Sequence, residues 1–440
     1  MEQQDRQDRP RNHQDPGQDH EHDQHHDQHH DQQRRVVRVL VAAQILGGLG
    51  AGATLSLGAL LAAETSGSSA WSGMAATMAT LGAAAAAVPL AALAQRSGRR
   101  ISLATGAVVA CLGGLLAIAA ASLAFFPLLL VALVLLGAGA ATGLQARFAA
   151  TDLATEATRG RSLSVVVWST TIGAVLGPNL FEPGQAVAGV LGIPPLSGGF
   201  VFTAVAQAAA ALVYASGLRP DPLLTALSRD AADRPVGLPV PARRRGLAIL
   251  ARNPAARFAV AAIAVGHAAM VSVMAMTPVH LHDHGAGLSV VGLTISLHVA
   301  GMYALSPVFG WIADRAGNVR GILLGQLLLL AALLTSWQGS ASNAWVTVGL
   351  ILLGLGWSAC VVSASALLAG SVEVTERAPV QGSSDLIMNL AGALGGALAG
   401  PALVLLGYSG LGLAAAVLVA GVLAWTLTRL GGRATTPVPA

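Results

Sequence analysis

Long apolar blocks alternate with short polar ones along nearly the whole 440-residue chain. The first block, Val36 to Ala63, carries no charge after Arg38. A helix of about 20 apolar residues crosses the ~30 Å hydrocarbon core of a bilayer. Repeated down the chain, the pattern predicts twelve membrane-crossing helices. They fall at roughly 36–63, 70–94, 101–122, 125–148, 162–191, 196–218, 257–281, 287–312, 319–338, 342–369, 380–407 and 409–430. The polar remainder is a His-rich tail over 1–35, expected to be disordered, a central linker over 219–256 and a short tail over 431–440. The linker divides the helices into six-helix bundles, 36–218 and 257–430, so an all-α membrane protein is expected.

Composition agrees with this division. Apolar residues make up 54% of the chain and charged ones only 10%, against about 25% charged in soluble domains. An Arg or Asp at the centre of a membrane helix costs about 2.5–3.5 kcal/mol, so charge should retreat to the loops. The 52 glycines suit helices that pack closely without help from water. Cys111 and Cys360 fall in different halves and do not read as a disulfide framework. The first 35 residues are polar, and no cleavable signal peptide is expected.

All 25 basic residues are Arg, and their spacing sets a topology. They occupy the two tails, the linker and the loops after helices 2, 4, 8 and 10, among them Arg99, Arg147, Arg315 and Arg377. The loops after helices 1, 3, 5, 7, 9 and 11 have none. The positive-inside rule then puts both termini and the linker in the cytoplasm, with the chain in the cytoplasmic (inner) membrane. That distribution speaks for a lipid partner and against nucleic acid, despite a formal net charge of +4.

The halves repeat. Gln95-Arg96-Ser97-Gly98-Arg99-Arg100 follows helix 2, and Asp314-Arg315-Ala316-Gly317-Asn318-Val319-Arg320 follows helix 8. Gly177-Pro178 in helix 5 recurs as Gly400-Pro401 in helix 11. Gly310 to Gly317 resembles the cytoplasmic signature of the major facilitator superfamily, whose fold is two parallel six-helix repeats. The resemblance implies a gate built from Asp314, Arg315 and Gly317, with an Asp–Arg pair latching the halves. The first half departs from it, with Gln95 in place of the acid. Asp385, one turn from Asn389 on helix 11, is a candidate for a gate or for proton coupling, while Glu64 and Glu182 lie towards outer helix ends.

Of twelve histidines, seven lie in the tail (His13, His20, His22, His25, His26, His29, His30) and five on helices 7 and 8 or between them. Methionines gather in the same place. Met270 and Met274 are one turn apart on helix 7, with His267 on the same face. His298 and Met302 are one turn apart on helix 8, at similar depth. Thioether with imidazole suits Cu(I), whereas calcium and magnesium prefer oxygen and zinc prefers thiolate. A Met pair at helical spacing is ordinarily packing, but a histidine at membrane depth demands a partner.

Met270-x-x-x-Met274 followed by His298-x-x-x-Met302 resembles the paired motifs of CcoA-type copper importers, the CalT family of that superfamily. The resemblance implies copper as transported substrate and no resident cofactor. It also implies delivery to a cytoplasmic copper chaperone or an oxidase assembly factor. His280, His282 and His284 are candidates for an entrance that collects metal, and the tail histidines for a metal buffer. Met74 with Met78 and the two cysteines are weaker metal candidates, since small packing residues explain them. The rival is a drug or small-molecule proton antiporter, because Gly173-x-x-x-Gly177-Pro178 resembles part of that group's signature. The trailing glycine pair is missing, and no carboxylate lies deep in the predicted cavity. No nucleophile, phosphate loop or cofactor motif points to an enzyme.

Overall fold

A backbone in hydrocarbon must satisfy its own hydrogen bonds, and a helix is the local way to do so. The computed structural model describes residues 16–67, 71, 74–176, 181–232, 246–286, 288–338 and 340–431, and the described residues are helical with no strand. The first bundle contains α1 (Pro16–Ser66), α2 (Met74–Ser122), α3 (Phe126–Ala149), α4 (Arg159–Leu176), α5 (Phe181–Leu191) and α6 (Gly198–Gly217). Two linker helices follow, α7 (Pro222–Ala232) and α8 (Gly246–Arg252). The second bundle contains α9 (Pro254–Asp283), α10 (Leu288–Tyr303), α11 (Ser306–Ala316), α12 (Asn318–Gln338), α13 (Asn343–Gly370) and α14 (Val374–Gly431). The start of α1 at Pro16 lies inside the segment read from sequence as a disordered tail. His13 and the Gly177-Pro178 pair lie outside the described residues.

Eight described stretches are long and apolar enough to cross a membrane, but two of them, over 40 residues long, are too long for one crossing. α2 turns back at Gly98 (φ 86°, ψ 170°) and α14 at Gly407 (φ 70°, ψ 176°). With those turns, and with α4 and α5 sharing one crossing and α10 and α11 another, the helices make the expected twelve crossings. Helix 8, expected unbroken over 287–312, is interrupted between Tyr303 and Ser306. Pro307 is the cause. A proline ring collides with the carbonyl four residues earlier, here that of Tyr303, and has no N–H to give it. Ser306 Oγ donates to that freed carbonyl at 2.7 Å, and it also reaches Ser164 O in α4 at 3.1 Å.

The repeat seen in the sequence recurs in the packing. In the first bundle Gly82 and Gly137 bring α2 and α3 together, and a Cβ on either would strike the partner's backbone. In the second, Gly301 and Gly354 do the same for α10 and α13. Small residues therefore set the interhelical distance at equivalent places in both halves. Each bundle has apolar clusters at both ends, one around Leu40, Leu103 and Tyr214 and another around Leu61, Leu129 and Phe200 in the first. Phe148 of α3 crosses over and is buried with Ile249, Phe258 and Ile322 of the second half and linker.

The halves meet chiefly at the arginine-rich end. Gly382 of α14 packs on Ala91 of α2. The linker reinforces the junction, with Leu223 of α7 buried between Ala94 and Ala378. Two arginines assigned to loops from the sequence are instead buried, Arg99 at 1% and Arg147 at 2% exposure. Each has a carboxylate partner, Asp152 and Asp385 respectively, which is the condition for an arginine to leave water.

Gly98 has a second constraint besides its positive φ: a Cβ there would run into the Asp221 carboxylate. Asp221 accepts from Arg100 N at 2.7 Å and from Leu223 N at 3.0 Å, tying the turn to α7. Gly98→Ala is expected to lower stability by about 1–3 kcal/mol, because that backbone region belongs almost only to glycine. Thermal unfolding in detergent should show the loss, while Ala at the exposed neighbour Ser97 should leave the midpoint in place.

Candidate functional site: a cavity and a histidine between the halves

A cavity of about 220 Å³ lies between the bundles at mid-height. The first half contributes Gln44 of α1, Arg147 of α3 and Thr170 of α4, and the second contributes His267, Met302 and Trp357 of α9, α10 and α13. Most of the polar groups are already engaged. Gln44 Nε2 donates to Thr170 Oγ1 at 3.0 Å, and Trp357 Nε1 donates to His267 Nδ1 at 3.0 Å. An indole N–H only donates, so His267 Nδ1 is the acceptor and the neutral ring carries its proton on Nε2. That nitrogen faces α14, where a Cβ on Gly392 would touch it. His267 therefore has no free lone pair in this arrangement.

His298 has the opposite tautomer. Its Nδ1 lies 2.8 Å from the Leu350 carbonyl of α13, which can only accept, so Nδ1 donates and Nε2 keeps its lone pair. The residue is completely buried, and Nε2 has no hydrogen-bond partner among the described residues. Met270 and Met302 belong to one buried apolar cluster, and Met274 packs against it. His298 and Met302 flank Gly301, so both sit where α10 approaches α13 most closely. The sequence pattern suggests α9 and α10 as close neighbours. Instead α9 runs along α14 and α13, while α10 lies on α13, and α9 and α10 touch over a short stretch only. Among the described residues, no three of His, Cys, Asp or Glu converge as a metal site would require. Any metal held here would rest on thioether sulfur and a single imidazole.

The entrance histidines form a different structure. His280 stacks on Tyr408 at 4.1 Å with the rings 8° from parallel, and its Nε2 lies 2.7 Å from Ser340 O. His284 Nδ1 reaches the His280 carbonyl at 2.9 Å. His280 thus pins α9 to the α12–α13 connection and to α14, with Nε2 occupied as a donor. The His282 side chain lies outside the described ones.

The gating residues also rearrange the expectation. Arg315 does not pair with Asp314 but lies over the Trp311 ring at 5.1 Å. Asp314 instead accepts from Gly160 N at 2.7 Å and Arg161 N at 2.8 Å, capping the start of α4 across the seam between halves. A carboxylate there satisfies orphan amides and meets the positive helix end. Gly317 ends α11 with φ 94°. Asp385 accepts from Arg147 at 2.6 Å, both buried, joining α14 to α3. Arg99 binds Asp152 at 2.8 Å within the first half and also donates to Gln381 of the second. Arg147 escaped the sequence reading because it ends a predicted span. The usable signal was Asp385, a carboxylate inside a predicted span that had to have a cationic partner.

Removing one member of such a buried pair strands the other. Asp385→Ala is expected to destabilise by about 3–5 kcal/mol, and Arg147→Met on top of it should restore most of that. Thermal unfolding of the single and double variants in detergent measures both.

Comparison with known proteins agrees with this architecture. The sequence pattern of the Major Facilitator Superfamily matches twice, over residues 40–285 and 258–439. An uncharacterised MFS-type transporter of Bacillus subtilis (strain 168), YddS, is 37% identical over 387 residues, covering 88% of each chain. The riboflavin transporter RfnT of Brucella anthropi is 28% identical over 371 residues, 81% of this chain and 85% of its own. The crystal structure of the human organic anion transporter MFSD10 superposes with a TM-score of 0.70 at 17% identity, covering 90% of this chain and 99% of that one, a likeness of fold alone. Twelve crossings in two repeated bundles, a cavity between them and a doubly matched sequence pattern have one explanation: this chain is a multi-pass membrane transporter of the Major Facilitator Superfamily.

Proposed function

We propose that the protein imports copper, bound as Cu(I) by His298 with the thioethers of Met270, Met274 and Met302. The observation that carries this reading is the His298 ring. Its Nδ1–H is anchored on a backbone carbonyl and its Nε2 lone pair is buried without a partner. That is the arrangement by which proteins orient a metal-ligating histidine, and an unpartnered polar atom at this depth is otherwise costly. Soft sulfur next to it suits Cu(I). Import proceeds by alternating access, the halves rocking about the midplane. In this reading the arginine-rich end, closed here, faces the cytoplasm and both termini lie there. The protein resides in the inner membrane, and a cytoplasmic chaperone or oxidase assembly factor receives the metal. Asp314 and Asp385 hold that end shut and must let go for release.

A second reading rests on the cavity itself. Its lining of Gln44, Thr170, Asn389 and Trp357 suits a small organic solute with a ring to stack and hydrogen bonds to make. The likeness to a riboflavin transporter makes riboflavin the first such probe.

Both readings are tested in one set of cells lacking copper uptake, with the protein and its variants at matched membrane levels. Elemental mass spectrometry reads copper, and fluorescence reads riboflavin. The intact chain should raise cellular copper. His298→Asn keeps a donor for the Leu350 carbonyl but has no Nε2 lone pair, so it should fold normally and lose the copper gain about tenfold or more, as should Met302→Ala. Copper gain unchanged in both variants would refute the ligand set. Riboflavin accumulation without copper, abolished by Trp357→Ala, would establish the second reading instead.

A further inference from the structure

A second opening lies away from the central cavity, on the side of the molecule, where the halves meet at the arginine-rich end. It is a groove of about 560 Å³ bounded by α2, the linker helix α8 and α14. Its walls are apolar: Val88 and Ala92 of α2, Leu247 of α8 and Leu386 of α14. Leu247 is 59% exposed and Val88 is 44% exposed, so the groove faces outward. Gly382 packed on Ala91 closes it off from the centre. At its polar mouth stands Arg96, exposed, two residues before the Gly98 turn that ends the crossing. Among the described residues Arg96 forms no ion pair.

The repeat shows how this seam differs from its counterpart. Asp314, on the opposite seam, caps α4 with two charged hydrogen bonds. Gln95 occupies the equivalent place here, and its Nε2 donates to Thr375 O at 3.2 Å. A neutral amide thus stands where the opposite seam has a carboxylate, and beside it stands Arg96, which forms no ion pair among the described residues. In a bilayer the abundant anion at this depth is a lipid phosphate, and an arginine at the headgroup level attracts it.

We propose that an anionic phospholipid docks in this groove, with its phosphate on Arg96 and an acyl chain along Val88, Ala92, Leu247 and Leu386. The lipid bridges α2 and α14, gives Arg96 an anionic partner, and holds the arginine-rich end shut. It has to leave, or slide, when the halves part at that end.

Native mass spectrometry of the full-length protein, presented with equal amounts of palmitoyl-oleoyl phosphatidylglycerol and phosphatidylcholine, reads the docking without any transport assay. The intact chain should retain the phosphatidylglycerol preferentially. Arg96→Gln should lower that retention about fivefold, and Leu247→Glu should do so as well by placing a like charge in the groove. Arg320→Gln, at the exposed arginine of the repeated loop, should not change it. Equal retention of the two lipids, undiminished retention in Arg96→Gln, or an equal loss in Arg320→Gln would each overturn the proposal.

Discussion

A charge brought into hydrocarbon must be neutralised by another charge of the same protein, and much of the junction between the bundles follows from that constraint. Arg147 and Asp385 come from different halves, so each half holds a charge that only the other can balance. A buried pair of this kind contributes little net stability against an apolar replacement, because desolvation offsets the attraction. Its effect is on geometry: α3 and α14 have one relative position in which neither charge is stranded. Arg99 extends the same logic, since its carboxylate is in its own half but its remaining N–H reaches Gln381 across the seam. Arg377 then reaches back to the Asp152 carbonyl at 3.2 Å. Closure at this end is thus enforced by polarity, with apolar packing of Phe148 filling the space around it.

The two seams are closed by different polar contacts although the halves repeat. Helix–helix spacing is reproduced faithfully, with Gly82 and Gly137 answered by Gly301 and Gly354. The polar contacts are not. A carboxylate at Asp314 spans the seam to two amides at a helix start, where the helix dipole adds to each bond. On the other seam Gln95 Nε2 donates to the Thr375 carbonyl, and Arg99 donates to Gln381. The seam between α4 and α11 is closed at a helix start, and the one between α2 and α14 is where a lateral groove lies and where the linker helices α7 and α8 pack.

How much of this was legible follows from what each feature depends on. Twelve crossings and two halves were legible because hydropathy is a local property and a membrane punishes exceptions. The break in helix 8 was visible in principle, since Pro307 stands inside the predicted span and its effect on Tyr303 is purely local. Arg147 was misplaced because a cation at the end of a span looks like a loop residue until its partner is known, and that partner lies 238 positions away. The Asp314–Arg315 latch was misjudged for the same reason: adjacency in sequence suggested a pair, while the carboxylate found better donors in a helix start brought to it by the fold. The soft residues of helices 7 and 8 were found by spacing, but spacing says nothing about which nitrogen of a ring is free.

That last point separates two histidines that look alike in the sequence. His267 lines the cavity, as a ligand should, yet an indole N–H occupies its Nδ1, so its proton sits on Nε2 and neither nitrogen offers a lone pair. His298 lies behind the cavity wall, wholly buried, yet a carbonyl fixes its proton on Nδ1 and leaves Nε2 bare. Exposure to the cavity and readiness to bind have been assigned to different residues. For a soft cation this division has a consequence. In the proposed reading the ion would meet Met302 at the cavity surface first and would reach His298 only if α10 shifted against α13, which the break at Pro307 would allow without dragging α11. Binding at His298 would then be coupled to movement of α10, which itself packs on α4 of the opposite half. A buried lone pair placed on such a helix links occupancy to the seam between the bundles, which a ligand exposed in the open cavity would not do.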